Sequence, residues 1–115
     1  MIGKFKFEVN DTFGLVGRGL VFRGNVIEGS LDTNQSIKFY SDGVNYLATV
    51  SSIEVDRKIV KETVQGIEIG LMLTNFNVEK INDLYMNAPD IDELEGYPTV
   101  KEVLNIEYPF RLESE

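Results

Sequence analysis

The side chains that carry out most enzyme chemistry are scarce in this chain of 115 residues. It contains no histidine and no cysteine, which removes the commonest general base, the commonest zinc ligands and any disulfide framework. Glu54 and Glu68 are the candidate pair of carboxylates for acid and base catalysis. Scattered glutamates on strands are usually solvated, so we predict that the protein is not an enzyme and has no catalytic residue, metal site or cofactor.

Glycine-containing segments offer apparent phosphate sites, but none has the required context. Gly3-Lys4 is followed by Phe5, whereas a nucleotide-binding P-loop needs Gly-x-x-x-x-Gly-Lys-Ser/Thr. The Asp-x-x-Gly spacing of residues 11–14 matches a GTPase switch, and without a P-loop that spacing is coincidental. Gly17-Arg18-Gly19 lies within strand pattern, with no following helix N-terminus to hold an anion. The sequence therefore predicts no GTP binding.

The elements that must position these residues are mostly β-strands. Phe5, Phe7 and Val9 alternate with polar residues, as in a strand with one buried face. Residues 13–29 combine apolar strand residues with glycines, which favour bulges and tight bends. Further strand patterns follow at residues 37–40, 46–53, 67–73 and 84–86, with a hairpin signal at 41–43. In the strand at 46–53, Ile53 is assigned to the face opposite Val50. A helical turn capped by Asn77 precedes the last strand.

Short strands separated by regular turns predict an all-β barrel or sandwich, and the glycine-rich bends favour the barrel. We assign residues 1–89 to this barrel and residues 90–115 to an acidic C-terminal extension of mixed structure, packing on or beside it. Within the extension, Asp90 with Glu93 and Thr99 with Glu102 match helix starts. Ile106, Tyr108 and Phe110 alternate around Pro109, which predicts an edge strand. The acidic residues of the extension are Asp90, Asp92, Glu93, Glu95, Glu102, Glu107, Glu113 and Glu115.

Two ordered glycine patterns lie about 30 residues apart. The residues that form them are Asp11, Phe13, Gly17, Arg18, Gly19, Gly24, Val26, Gly29, Gly66 and Gly70. Together they resemble the second domain of elongation factor Tu and related translational GTPases. The resemblance covers roughly residues 4–89 and implies a closed, six-stranded, reductase-like barrel without the GTPase domain. In full-length factors this domain contacts ribosomal RNA and, in elongation factor Tu, the aminoacylated end of tRNA.

The same resemblance suggests binding residues. Glu54 and Arg57, followed by Lys58, match a Glu-x-x-Arg pattern that lies beside the terminal adenosine of tRNA in the family. Such a pair can hydrogen-bond a ribose and neutralise a phosphate, or form an ordinary surface ion pair. Asn10 and Glu68 depart from the family, which has an acid and an asparagine there, and a carboxylate at 68 would repel a nearby phosphate.

We therefore predict a cytoplasmic, non-catalytic binding module whose partner is RNA, either tRNA or the ribosome, or a protein of the translation apparatus. No apolar segment approaches the roughly 18 residues that span a bilayer. The alternative is a decoy or immunity-type protein, since the net charge of −8 and the acidic tail favour a basic protein or toxin as partner. A third possibility is an oligomer in which Ile106, Tyr108 and Phe110 contact a neighbouring copy.

Overall fold

The structure is a computed structural model that describes residues 4–15, 18–86 and 99–115, without the side chains of residues 83–86. Strands dominate it, and two short helices follow the sixth strand. The elements are β1 (Lys6–Leu15), β2 (Gly19–Glu28), β3 (Ser36–Ser41), β4 (Val44–Val55), β5 (Lys58–Val60), β6 (Ile69–Thr74), α1 (Glu79–Met86), α2 (Val100–Leu104) and β7 (Phe110–Ser114).

Six of these strands close into a ring in the order β1–β2–β6–β4–β3–β7, and β7 pairs with β1 again. Every neighbouring pair is antiparallel, and β5 forms a hairpin with the end of β4. Closure gives each strand of the ring two partners and removes the exposed edges of an open sheet. The closed six-stranded barrel predicted from the sequence is confirmed.

The barrel interior is filled by apolar side chains from all six strands of the ring. Phe7, Phe22, Ile37, Leu71 and Leu112 each come from a different strand, and each has 0% of its surface exposed. The strand β2 crosses β1 so closely at Gly24 that an added Cβ would lie 1.8 Å from the carbonyl oxygen of Glu8. Only glycine permits this approach, in agreement with the bends predicted from the glycines.

The C-terminal segment takes part in the barrel, which corrects the predicted edge strand. β7 lies between β1 and β3, with Phe7 opposite Leu112 and Ile37 opposite Ser114. It begins immediately after Pro109, so the residue without a backbone donor stays outside the ladder. The boundary at residue 89 stays a prediction, but the described end of the extension supplies a strand of the ring.

The oligomer contacts predicted for Ile106, Tyr108 and Phe110 lose their support. Ile106 is buried, and Tyr108 and Phe110 pack against the core of their own chain. Phe110 lies between the rings of Phe22 and Phe39, with centroids 5.7 and 5.5 Å away. These side chains therefore close the barrel, and the oligomeric state stays a prediction.

The strand predicted at residues 84–86 is wrong, because those residues belong to α1. A short apolar run fits a strand or a helix equally well. Asn77 lies outside the helix. Its side chain accepts a hydrogen bond from Leu47 N and donates one to Asn45 O of β4, at 2.9 Å each. No helix of the described ranges is long and apolar enough to cross a membrane.

The predicted helix start at Thr99 is confirmed. Its hydroxyl accepts a hydrogen bond of 3.1 Å from Glu102 N at the first turn of α2. The hydroxyl of Ser41 donates to the carbonyl oxygens of Leu104 and Asn105, so the end of α2 is fixed to β3. The other predicted start, at Asp90 and Glu93, lies outside the described residues.

Candidate nucleic-acid interface

A groove of about 340 Å³ runs over the outer surface of β2, β6 and β4. Gly70 of β6 lies between Arg23 of β2 and Glu54 of β4, and most of the lining is apolar, with charged side chains set in it. The lining residues are Phe13, Leu15, Arg18, Val21, Arg23, Ser52, Glu54, Ile59, Gly70 and Met72. We call this surface of apolar and charged side chains the groove.

Two irregularities in the strands turn the groove residues outward. The register of β4 shifts between Val50 and Ser52. Before the shift Tyr46, Ala48 and Val50 point inward, and after it Ile53 is buried while Ser52 and Glu54 line the groove. A bulge inserts one residue and so reverses which positions face the core. The assignment of Ile53 to the face opposite Val50 is therefore wrong.

The same change occurs in β1, where the register shifts between Val9 and Asp11. Phe7 and Val9 lie in the core, whereas Phe13 and Leu15, at positions of the same parity, line the groove. Sequence reasoning missed Leu15 as a groove residue. The available signal was an apolar series that continues past a predicted turn into the glycine-rich segment.

Arg23 and Glu68 form an ion pair at the groove. Nε of Arg23 donates to Oε1 of Glu68 over 3.0 Å, and both side chains are partly exposed. Partial exposure makes such a pair worth little for stability. The carboxylate at position 68, which was expected to repel a phosphate, is thus held by a cation.

The predicted pair Glu54 and Arg57 is divided between the groove and a neighbouring turn. Glu54 lines the groove, where its cross-strand neighbours are Gly70 and Ile59. Arg57 lies in the turn between β4 and β5, beside Asp56, with φ angles of 67° and 50°. Arg57 and Lys58 are exposed at this turn and are not among the groove-lining residues. Sequence reasoning missed Arg23, which the structure places beside Glu54.

The residues of the family signature occupy bends and close approaches. Asp11 follows the bulge of β1, and its carboxylate accepts a hydrogen bond of 2.9 Å from Thr12 N. Gly19 begins β2, Gly29 follows it with φ 75°, and Gly66 lies in the loop before β6 with φ 90°. Arg18 borders the groove. Gly17 lies outside the described residues.

A closed antiparallel barrel that carries this glycine signature defines a module of translation-factor type, and comparison with known proteins supports that class. No family model matches the chain. Translation initiation factor IF-2 of Salinibacter ruber is 34% identical over 105 residues, which cover 90% of this chain and 9% of the factor. The corresponding factor of Desulfovibrio desulfuricans is 32% identical over 100 residues, with 86% and 9% covered.

A solved structure agrees on the fold. The crystal structure of a bacterial selenocysteine-specific elongation factor matches with a TM-score of 0.54 and 23% identity, over 67% of this chain and 13% of that one. The chain is therefore a translation-factor-related module that resembles a β-barrel domain of the translational GTPases, as predicted. It spans about 9% of the length of these initiation factors, and the match is not to their GTPase domain.

Proposed function

We propose that this chain is a non-catalytic binding module that holds the single-stranded end of an RNA of the translation apparatus in the groove. The observation that carries the proposal is the meeting of apolar walls with Arg18, Arg23 and Glu54 on one outer surface of the barrel. Exposed bases pack on flat apolar surfaces, and guanidinium groups bind phosphate through paired donors. The Glu54 carboxylate accepts hydrogen bonds from ribose hydroxyls.

The charge of the chain favours a local contact over a broad electrostatic one. Its net charge is −8, so a long phosphate backbone is repelled except where cations project. Non-specific RNA binding draws its free energy from the neutralisation of many phosphates, and it weakens steeply with salt. Binding through the groove instead uses few phosphates and gains from base packing. We therefore expect a shallow salt dependence and a requirement for an unpaired RNA end.

The relatives support RNA of the translation apparatus as the ligand class. The similar proteins are translation factors, and the chain matches part of a translation initiation factor at up to 34% identity. The groove offers such a ligand an apolar surface for its bases and charged side chains for its phosphate and ribose. Arg57 and Lys58, exposed at the β4–β5 turn, are then available for phosphates further along the strand.

Filling the groove with a bulky side chain tests the proposal. Ser52 lines the groove on β4 and is half-buried, so Ser52→Phe should weaken binding of an RNA hairpin with a 3′ overhang by about tenfold or more, the loss of roughly one packed base. Leu47→Phe is the matched control, because Leu47 lies on the same strand at a separate surface. Fluorescence anisotropy with overhanging and blunt hairpins measures both variants.

Equal affinity for overhanging and blunt RNA would contradict the proposal, as would unchanged binding by Ser52→Phe. An effect of Leu47→Phe as large as that of Ser52→Phe would place the site on the surface near Lys38 and Arg111 instead. Failure of the wild-type protein to retain either RNA at low salt would leave the predicted basic protein partner as the ligand to test.

A further inference from the structure

A pocket of about 510 Å³ lies on the outer surface of β3, β4 and β7, apart from the groove. It combines two cations, one carboxylate, two asparagines, one leucine and two aromatic side chains. The lining residues are Lys38, Phe39, Tyr40, Asn45, Leu47, Asn77, Arg111 and Glu113, none of which lines the groove. We call this site the lateral pocket. Neither the binding residues predicted from the sequence nor the RNA site proposed above includes it.

The centre of the lateral pocket is an exposed apolar pair. Leu47 of β4 lies directly opposite Lys38 of β3, and Tyr40 lies two residues further along β3 on the same face. Leu47 and Tyr40 are therefore diagonal neighbours, close enough for their side chains to meet. Leu47 is 36% exposed and Tyr40 is 66% exposed, so an apolar group that covers them removes apolar surface from water.

Asn77 fixes one wall of the lateral pocket. It follows β6 and takes the place of a neighbouring strand where β4 extends beyond its pairing with β6. Its backbone N–H donates to Leu47 O at 3.0 Å, and its side chain accepts from Leu47 N and donates to Asn45 O, at 2.9 Å each. These three hydrogen bonds hold the segment that carries Leu47, so the pocket is formed before a ligand arrives and binding requires less ordering.

Lys38 and Arg111 supply the cations of the lateral pocket. Both are exposed, and among the side chains that the structure describes neither forms an ion pair with a carboxylate. Glu113 of β7 lies opposite Lys38 and is half-buried. Two cations against one carboxylate give the lining a charge of +1, on a chain whose net charge is −8. The pocket is therefore a local cationic site on an acidic protein, and it attracts anionic groups.

The composition of the lateral pocket distinguishes between two anionic ligands. RNA carries a phosphate at every nucleotide, so a strand that reaches both cations also brings a phosphate towards Glu113. Bases stack on aromatic rings, whereas half of the apolar centre is the aliphatic Leu47. A peptide can separate its carboxylates and place an apolar side chain between them. These differences favour an acidic peptide over RNA.

We propose that the lateral pocket binds an acidic segment of a partner protein that carries an apolar side chain among its carboxylates. The apolar side chain packs on Leu47 and Tyr40, and the carboxylates that flank it pair with Lys38 and Arg111. Glu113 restricts the ligand to one whose negative charges are separated. The site does not depend on the RNA function proposed for the groove, because the two surfaces share no residue. One chain can therefore hold an RNA and a protein partner at the same time.

Three blocked, fluorescein-labelled peptides test this proposal by anisotropy. They are Asp-Glu-Phe-Glu-Asp, the same peptide with Ala in place of Phe, and Lys-Lys-Phe-Lys-Lys. The acidic Phe peptide is expected to bind about tenfold more tightly than the acidic Ala peptide, because the Ala peptide lacks the ring that covers the apolar pair. It should also bind at least about tenfold more tightly than the basic peptide, and its affinity should fall as salt screens the cations.

Variants of the lateral pocket separate the apolar contribution from the charged one. Leu47→Ala shortens the apolar centre, so the acidic Phe and Ala peptides should then bind almost equally. Arg111→Gln should weaken both acidic peptides about threefold, and Arg111→Lys should restore most of that loss, because an exposed pair depends mainly on charge. Ser52→Phe, which fills the groove, is the matched control and should leave the affinity of all three peptides unchanged.

Amide chemical shifts locate the peptide without any variant. The acidic Phe peptide should shift residues 38–40 and 45–47 and leave the groove residues Ser52 and Gly70 in place. Equal binding of the acidic Phe and Ala peptides, tighter binding of the basic peptide, or no binding at about 1 mM would overturn the inference and leave the proposed RNA function standing.

Two other occupants of the lateral pocket give different results. Displacement of the acidic Phe peptide by the overhanging RNA, together with weaker RNA binding by Leu47→Phe, would assign the pocket to RNA. A dimer in sedimentation velocity that Leu47→Asp converts to a monomer would assign it to a second copy of the chain. Either result would overturn the peptide inference.

Discussion

Two outer faces of the barrel use the same residue types in different ways. On the face formed by β1, β7 and β3, which we call the charged face (Lys6, Glu8, Lys38, Arg111 and Glu113), opposite charges lie side by side across strands. Glu113 is opposite Lys6 on one side and Lys38 on the other. Glu54, at the groove, is opposite Gly70 and Ile59. Glu113 thus lies between two cations, whereas the cross-strand neighbours of Glu54 carry no charge.

The difference suggests that the two faces have separate roles. The charged face covers β7, the strand that closes the ring, and its cross-strand pairs contribute modestly to sheet stability. The groove lies where two bulges turn apolar and charged residues outward. Changes beneath the charged face should therefore alter stability without altering RNA binding, and changes at the groove should do the reverse.

The largest expected effect tests the structural half of this comparison. Leu112 lies in the core under the charged face with 0% of its surface exposed, so Leu112→Ala should lower the free energy of unfolding by about 3 kcal/mol through lost burial and a cavity. Urea denaturation measures the change. RNA affinity, measured where the variant remains folded, should equal that of the wild type. A loss below about 1 kcal/mol would mean that β7 adds little to the barrel.

At the β4–β5 turn beside the groove, a single change should raise stability and lower RNA affinity together. Arg57 has φ 67°, a conformation that costs a non-glycine residue about 1 kcal/mol. Arg57→Gly should therefore raise the unfolding free energy by about 1 kcal/mol, and it should weaken RNA binding by removing a cation. Asp56→Gly is the matched control in the same turn, with φ 50°. It should also stabilise the fold, but without weakening RNA binding. Equal RNA affinity in both variants would show that Arg57 does not contact the ligand.

The ion pair at the groove gives a smaller effect on affinity. Glu68→Gln removes the carboxylate that holds Arg23, so the guanidinium becomes free for phosphate and RNA affinity should rise roughly threefold. The slope of affinity against salt should steepen by about 0.7, the value for one more phosphate contact on a single strand. Glu113→Gln on the charged face is the control and should change neither quantity. A fall in affinity for Glu68→Gln would show that Glu68 itself contacts the RNA.

Part of this arrangement follows from the sequence alone. The alternation of Phe5, Phe7 and Val9 predicts an inward face, and the glycines predict the bends, because both depend on local geometry. The bulge in β4 was missed, although the change of parity between Val50 and Ile53 signals it. Two apolar residues three positions apart cannot share a face of a regular strand.

The remaining features depend on contacts that are distant along the chain. Glu54 entered as a candidate through the family resemblance, whereas Arg23 was missed because it meets Glu68 only after β2 and β6 pair. β7 was predicted as an edge strand because Pro109 suggests one, and its partners β1 and β3 lie far away in sequence. Pairing of this kind is set by closure of the whole sheet and leaves little local signal.

The smallest expected effect concerns Tyr46, which lies on β4 beneath the charged face, stacked on Phe39 with ring centroids 4.9 Å apart. Burial, and next the carboxylate of Asp42, raise the pKa of Tyr46 above its ordinary value of 10.0. The folded state therefore holds the phenolic proton more tightly than the unfolded state. The resulting stabilisation is fully present below about pH 10 and is lost as the pH rises through the raised pKa.

Urea denaturation from pH 8 to 11 should thus show a slightly shallower alkaline loss of stability for Tyr46→Phe than for the wild type. Tyr40→Phe is the control, because Tyr40 is 66% exposed on the outer surface of β3, and its pH profile should follow that of the wild type. RNA affinity of Tyr46→Phe at neutral pH should be unchanged, since the side chain faces the core and not the groove. Parallel profiles for all three proteins would show that the Tyr46 proton contributes nothing to folding, and a loss of RNA affinity would join the two faces that the comparison separates.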